Sequence, residues 1–563
     1  MPAAIFILNS VRRIFVRKRS FIEGAAVLAF AGLLAKVLGA IFRIPLTYII
    51  GAEGMGLYQM AYPIYSFLLV ISSAGLPVAI SKMVSERMAY GNYSGAYRVF
   101  RVSLTFLACL GIMTSTLLMA FGGTISIALG NPKAVYSILA IAPGLFFVSV
   151  LSAFRGYFQG MQMMSPTALS QIVEQSGKLF MGLLLAWLFV GRGIEFGAAG
   201  AVLGVTLGEI AALILLLGIY RRKKEDLGEE IRRKAVKENL GICYGEPVHE
   251  IIKKLANIAV PVTIGASLMP LVGLIDGMIV VNRLMSIGGA GTAASYTVEE
   301  ATSLYGLLTA YANPLINFPA ILTVALAMSI VPSISESCAL GHRKAVAHKA
   351  AVAIRLTLLV GLPAGVGMSV LAHPIIRLLY RALDDSQAVL AGNLLSVLSF
   401  GVVFLTLIQS LTGILQGVNR AAVPVKNLAV GALFKVVTTY TLVGIPQINV
   451  LGAAVGTVVC YAIASLLDFS AVIRYTNAFI PFTDFVLKPI VAVGIMATAV
   501  SVLYKVLESV VGLTLATTLS IIAGILVYGL ALLVMGIIKE NDFRFLPGGD
   551  KLGRVLYQLR IFR

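Results

Sequence analysis

The sequence predicts an all-α polytopic membrane protein of about fourteen transmembrane helices: two six-helix repeats, an N-lobe and a C-lobe, plus two C-terminal helices. Three observations predict it. Of 563 residues, 59% are hydrophobic and only 12% charged, with a mean hydropathy of +0.94, whereas a soluble domain is about 25% charged. The apolar residues fall in runs of about 20, the length of a helix crossing a hydrocarbon core. The second half of the chain also repeats the first at an offset of about 250 residues. The composition alone excludes a water-soluble enzyme.

In chain order the runs lie near 24–46, 59–81, 101–122, 135–156, 168–190, 197–219, 256–281, 304–332, 351–372, 388–411, 425–446, 450–472, 486–507 and 514–537, each bounded by charge, Gly or Pro. Residues 1–20 carry Arg12, Arg13, Arg17, Lys18 and Arg19. The run that follows has no small-residue cleavage pattern, so it reads as a retained first span behind a basic cytoplasmic N-terminus. Spans 1 to 6 form the N-lobe (21–220). The longest polar segment, with Arg221-Arg222-Lys223-Lys224, makes a cytoplasmic linker (221–254) before the C-lobe (255–475). The last two spans occupy 476–540, and 541–563 form a cytoplasmic tail. With the N-terminus inside, cytoplasmic segments collect about 33 Lys and Arg and external ones about six, which sets both termini in the cytoplasm. The net charge of +19 is therefore a topology signal and does not point to nucleic acid. Cys109, Cys243, Cys338 and Cys460 are too scattered for a disulfide framework or a CxxC metal site.

The repeat is carried by specific residues. Gly156-Tyr157-Phe158-Gln159-Gly160 recurs as Gly413-Ile414-Leu415-Gln416-Gly417, and the same offset maps Lys178 onto Lys435. Gly200-x-x-x-Gly204 matches Gly452-x-x-x-Gly456, and Leu57-Tyr58 with Ser85-Glu86 matches Leu304-Tyr305 with Ser335-Glu336. Each copy has an even number of spans, so both enter from the same side. This is a transporter pattern, with the substrate path expected between the halves at mid-membrane.

Charges inside spans are costly and mark a wet cavity or a partner. Lys36 and Arg43 lie seven residues apart in span 1, nearly on one face and about 10 Å apart along the axis. Glu174 and Lys178 stand at i, i+4 in span 5, a spacing open to a local ion pair. Lys435 has Gly431 four places earlier and lacks that partner. Two symmetry-related lysines suit an anion such as a phosphate or diphosphate. Glu209, Asp276 and Asp468, with Glu174, are candidates for a coupling cation, Na+ or H+, or for simple charge partners. Asn313, Pro314, Asn317 and Pro319 in span 8 fit either amides and freed carbonyls toward a cavity or an ordinary kink. The glycine ridge Gly200, Gly204, Gly208 reads as close helix packing. His249, His342, His348 and His373 show no metal-ligand spacing, and there is no phosphate-binding P-loop. The expectation is a transporter without a cofactor.

Leu38-Gly39-Ala40-Ile41-Phe42-Arg43-Ile44-Pro45-Leu46, then Gly51-Ala52-Glu53-Gly54-Met55-Gly56-Leu57-Tyr58-Gln59-Met60-Ala61-Tyr62-Pro63, then Ala74-Gly75-Leu76-Pro77-Val78-Ala79-Ile80-Ser81-Lys82 closely resemble the stage V sporulation protein B / YtgP group. That group belongs to the multidrug/oligosaccharidyl-lipid/polysaccharide exporter superfamily and is similar to the MurJ lipid II flippases. The resemblance implies a flippase in the bacterial plasma membrane. It would carry an undecaprenyl-diphosphate-linked cell-wall precursor, lipid II first among them, from inner to outer leaflet by alternating access. It implies membrane lipids and the cell-wall synthesis machinery as partners, a cavity lined by Lys36 and Arg43, and a tail groove on the last two spans. The sequence departs from many Gram-negative relatives in span 8, where Asn313, Pro314 and Asn317 replace an acidic-basic-acidic cluster. The rivals are another polyprenyl-linked glycan, a cation-coupled drug antiporter, a non-transporting scaffold, and a glycosyltransferase whose acids would come from Glu53, Glu299, Glu300, Asp384 or Asp385.

Overall fold

Helix is the form that satisfies its own backbone N–H and C=O groups inside hydrocarbon. The computed structural model describes residues 21–73, 75–237, 246–287, 296–481 and 483–536, and no β-strand occurs among them. The helices are α1 Phe21–Ser73, α2 Leu76–Ala89, α3 Tyr93–Ala128, α4 Ala134–Ile141, α5 Gly144–Gly160, α6 Met164–Val190, α7 Ile194–Lys237 and α8 Val248–Met285. They continue with α9 Val298–Gly306, α10 Asn313–Ala339, α11 Arg343–Val370, α12 Ala372–Leu379, α13 Asp385–Gly417, α14 Ala422–Val443, α15 Leu451–Thr476 and α16 Lys488–Val534. The basic segment 1–20, Cys243 and the tail 541–563 lie outside the described residues.

Among the described residues, 12 helical stretches are long and apolar enough to cross a membrane. Two of them are long enough for two passes each. The stretch Phe30–Ala89 breaks at Gly51 (φ 63°, ψ −170°), and Thr483–Val534 breaks at Gly512 (φ 77°, ψ 166°). This backbone is open essentially only to glycine. Spans 1 and 2, and spans 13 and 14, are therefore joined through a glycine where the sequence pattern suggests a loop. Two π-helical turns, Leu307–Ala312 and Thr483–Leu487, each end two residues before a proline, Pro314 and Pro489. A widened turn accommodates the missing N–H and the ring of such a proline.

Among the described residues the chain divides into two compact units, 21–50 with 57–274 and 51–56 with 275–536. The division falls inside α8 and not in the polar linker. The first unit holds the start of α8 by charge and by close approach: Glu246 pairs with Arg87, Lys254 Nζ lies 2.6 Å from the same carboxylate, and Gly75 leaves room for the Ala259 backbone. The core of the first unit gathers Ile80, Met83, Val99, Phe100, Phe154 and Tyr157, with Phe100 stacked on Tyr157 at 4.3 Å. The second unit packs Ile330, Ile334, Ile354, Leu411 and Ile414.

The glycine ridge sets a close helix pair in the first unit. A Cβ on Gly204 would fall on Gly182 Cα, and one on Gly208 would strike the Glu174 carbonyl and stand 2.9 Å from Lys178 N. The second unit repeats the device, where a Cβ on Gly452 would meet the Leu442 backbone at 2.7 Å and one on Gly456 would meet Lys435 O at 3.3 Å. In both units, close backbone packing seats the helix that carries the buried lysine.

Gly204→Leu is expected to destabilise the protein by at least about 1–3 kcal/mol through overpacking, whereas Gly218→Leu, with open space around it, changes little. Thermal unfolding of detergent-purified variants reads the difference. Lys254, and then Arg87, hold the Glu246 carboxyl below the usual carboxylate range. A lowered folded pKa adds stability that is present above the unfolded value and disappears as pH falls through the folded one. The thermal midpoint should therefore gain a downward slope below about pH 4 that Glu246→Gln flattens.

Candidate functional site

In the first unit, Phe42 before the Gly51 break of α1 and Tyr58, Tyr62 and Tyr65 after it form a row of rings, with successive centroids 6.2, 5.7 and 6.1 Å apart. Tyr58, Tyr62 and Tyr65 are spaced at helical intervals of four and three, which keeps them on one side. Lys178 of α6, only 9% exposed, lays its ammonium 4.9 Å from the Tyr62 ring centroid and 5.3 Å from that of Phe42. The Tyr58 hydroxyl lies close to it. Arg43, half-buried, lies within electrostatic range of both Tyr58 and Lys178. Among the described residues, neither cation has a carboxylate within ion-pair distance. Aromatic faces stabilise a cation without neutralising it, so this cluster keeps its positive charge available to an anion.

Glu174 does not pair with Lys178, although the spacing allowed it. It takes Arg155 of α5 at 2.7 Å, while Arg155 Nε also donates to Ser170 Oγ at 2.9 Å. Glu209 of α7 is fully buried. Tyr65 donates to its Oε1, and Oε2 has no partner. Lys36 is exposed and, among the described residues, makes no ion pair. Of the candidates in this unit, the structure brings Arg43 and Lys178 together, diverts Glu174 to Arg155, and sets Glu209 at the far end of the aromatic row.

In the second unit, Lys435 of α14 is 7% exposed and forms an ion pair with Asp276 of α8. Tyr305, the repeat partner of Tyr58, lies within electrostatic range of Asp276, and Tyr461 of α15 within that of Lys435. The two symmetry-related lysines thus differ: one is neutralised by a carboxylate, the other is not. Asp468 is separate, accepting from Asn427 Nδ2 at 2.7 Å with its Oδ2 unpartnered. On α10, Asn317 Nδ2 donates to the Asn313 carbonyl at 3.0 Å, while Asn313 Oδ1 is buried without a partner.

Sequence reasoning missed Arg155, Tyr62, Tyr65, Tyr461 and Asn427. The Tyr58, Tyr62, Tyr65 spacing was legible as a helical stripe, whereas Arg155, at the edge of a span, reads as an interfacial charge. Among the described residues, no group of three His, Cys, Asp or Glu side chains could hold a metal ion. Three of these acids have structural work: Glu300 closes a capping box with Thr297, Asp384 caps α13 by accepting from Gln387 N at 2.7 Å, and Asp385 pairs with Arg377 at 3.3 Å.

Residues 21–338 match the model of the polysaccharide biosynthesis protein family. The chain belongs to that family. A second model, MatE, matches residues 308–441. Among relatives of this polysaccharide biosynthesis protein, stage V sporulation protein B of Bacillus subtilis is 29% identical over 535 residues, covering 94% of this chain and 98% of the relative. The lipid II flippase MurJ of the same species is 25% identical over 468 residues, covering 81% and 83%. Among solved structures, lipid II flippase MurJ in an inward closed conformation matches with a TM-score of 0.66 at 15% identity, over 91% of this chain and 98% of that one. An inward-facing MATE family multidrug transporter of the MOP superfamily matches at 0.61 and 14% identity, over 78% and 94%. The fold is that of these membrane transporters.

Removing one partner of a buried ion pair strands the other, at about 3–5 kcal/mol. Lys435→Met should lower the thermal midpoint sharply, and adding Asp276→Leu should restore much of it. Lys178→Met, which strands no carboxylate, should cost less than Lys435→Met in the same assay.

Proposed function

We propose that this protein is a flippase that carries an undecaprenyl-diphosphate-linked glycan, lipid II first among them, from the inner to the outer leaflet of the bacterial plasma membrane. The observation that carries the reading is the pair Arg43 and Lys178, half-buried and buried, within electrostatic range of each other, with Lys178 over the Phe42 and Tyr62 rings and neither paired to a carboxylate among the described residues. Ammonium and guanidinium groups recognise a diphosphate as charges and donors. The named lipid II flippase among the relatives supports the substrate class, and Lys36, further along α1, would extend the cationic face.

Alternating exposure of this cluster to the two leaflets would offset part of the cost of a diphosphate at mid-membrane. An anion leaving a negative interior gains about 2.3 kcal/mol per charge per 100 mV, so the membrane potential can supply the outward bias. Glu209, whose Oε2 is buried and unpartnered, is the proposed carrier if a proton is coupled. The partners in this reading are the lipid-linked precursor, surrounding lipids and the cell-wall synthesis machinery. A drug antiporter that selects cationic substrates would need an uncompensated acid where this cluster is basic.

The deciding experiment is outer-leaflet lipid II in cells depleted of their own flippase, complemented at matched expression. The wild-type chain should restore translocation, and Arg43→Ala or Lys178→Met should reduce it at least about tenfold, the effect of about 1.4 kcal/mol. Absence of rescue by well-expressed wild type would assign another polyprenyl-linked glycan, or the antiporter reading, to the same fold.

A further inference from the structure

The two repeats differ at one crevice. The turn between α2 and α3 and the turn between α10 and α11 correspond residue for residue, with Gly91 and Gly341 both at φ 72°. That register, 250 residues apart, places Ser333 where the first unit has Met83, Lys349 where it has Val99, and Leu356 where it has Phe106. In the first unit Met83 and Val99 are core residues, 2% and 0% exposed, and Phe106 packs against the same core. In the second unit the smaller Ser333 and Leu356 leave a cavity of about 200 Å³ between α10 and α11. Leu326, Ile330, Ile334, Val352 and Leu356 line it, and Lys349 stands among them. The exposed Ser329 marks its opening.

Lys349 donates to the Ser333 carbonyl at 2.9 Å and to Ser337 Oγ at 2.8 Å. An ammonium has three donors, so one remains. Among the described residues, no carboxylate pairs with Lys349. A half-buried cation on an apolar wall, at a place where the other repeat carries valine, calls for an external anion. Exposed His342, Arg343, Lys344 and His348 occupy the same end of α11, with Glu336 the one acid in the adjoining turn of α10. The expected topology places this end at the cytoplasmic face, where anionic headgroups attract basic clusters.

We propose that this crevice binds an anionic phospholipid of the inner leaflet, with the tip of one acyl chain in the cavity and the phosphodiester on Lys349. The site is distinct from the Arg43 and Lys178 cluster, and it stands whether or not the flippase reading does. The apolar walls supply burial for the chain, and the free donor of Lys349 supplies a charge-assisted hydrogen bond. The first unit cannot bind a lipid in this way, because Met83, Val99 and Phe106 fill the equivalent space.

The test is native mass spectrometry of the full chain, titrated with dioleoyl phosphatidylglycerol, dioleoyl phosphatidylcholine or glycerol 1-phosphate. The wild type should prefer phosphatidylglycerol to phosphatidylcholine. Lys349→Val should weaken phosphatidylglycerol about fivefold or more, the worth of one lysine at an anionic surface. Lys349→Arg should retain the preference. Ser333→Met, which fills the crevice with the residue of the other repeat, should lose it while keeping the lysine. Equal binding of the two lipids, or a preference that survives both Lys349→Val and Ser333→Met, overturns the proposal. Glycerol 1-phosphate binding as tightly as phosphatidylglycerol also overturns it, leaving a phosphate site without a lipid.

Discussion

The architecture depends on how closely two helices approach where glycine replaces a side chain. In each unit the helix bearing a buried lysine lies against its neighbour backbone to backbone, through Gly204 and Gly208 in one and Gly452 and Gly456 in the other. Hydrocarbon offers no hydrophobic drive between helices, so van der Waals packing of small residues holds such pairs together. That packing fixes where Lys178 and Lys435 stand, and the charges around them follow from it.

From that shared scaffold the units diverge. Lys435 is answered by Asp276, which suits a rigid, neutral pair. Lys178 is answered by rings and a phenol, and it shares its surroundings with Arg43. Burying a cation costs free energy unless it is paired, and the aromatic row offsets only part of that cost. In the proposed function the remainder is recovered when an anion arrives, so affinity for a diphosphate-bearing lipid would grow out of incomplete compensation in one repeat. The same logic applies to the crevice at Lys349, where a lysine has replaced a core valine.

Much of this was legible in the chain. The apolar runs and the repeated Gly-x-x-x-Gly and Gln-Gly motifs gave the helices and the two-fold duplication, because side-chain periodicity and apolar length act locally. That consecutive passes join directly through Gly51 and Gly512 was not legible, since only the backbone torsion shows that a single glycine turns the chain from one helix to the next without a loop. Glu174 shows the limit for charges. Its spacing to Lys178 fits an ion pair, yet Arg155 wins because α5 delivers a guanidinium to its other side.

The sequence by itself determined that this protein spans a membrane, that it is built from a repeat, and that some ionisable residues lie within its spans. These are matters of composition and interval, read along one dimension. Only the tertiary structure decided which of those charges are neutralised: Asp276 meets Lys435 across about 160 residues, and Tyr65 meets Glu209 across 144. Electrostatic partners are chosen by distance in space, which falls off within a few ångströms. Nothing in the chain's order records it.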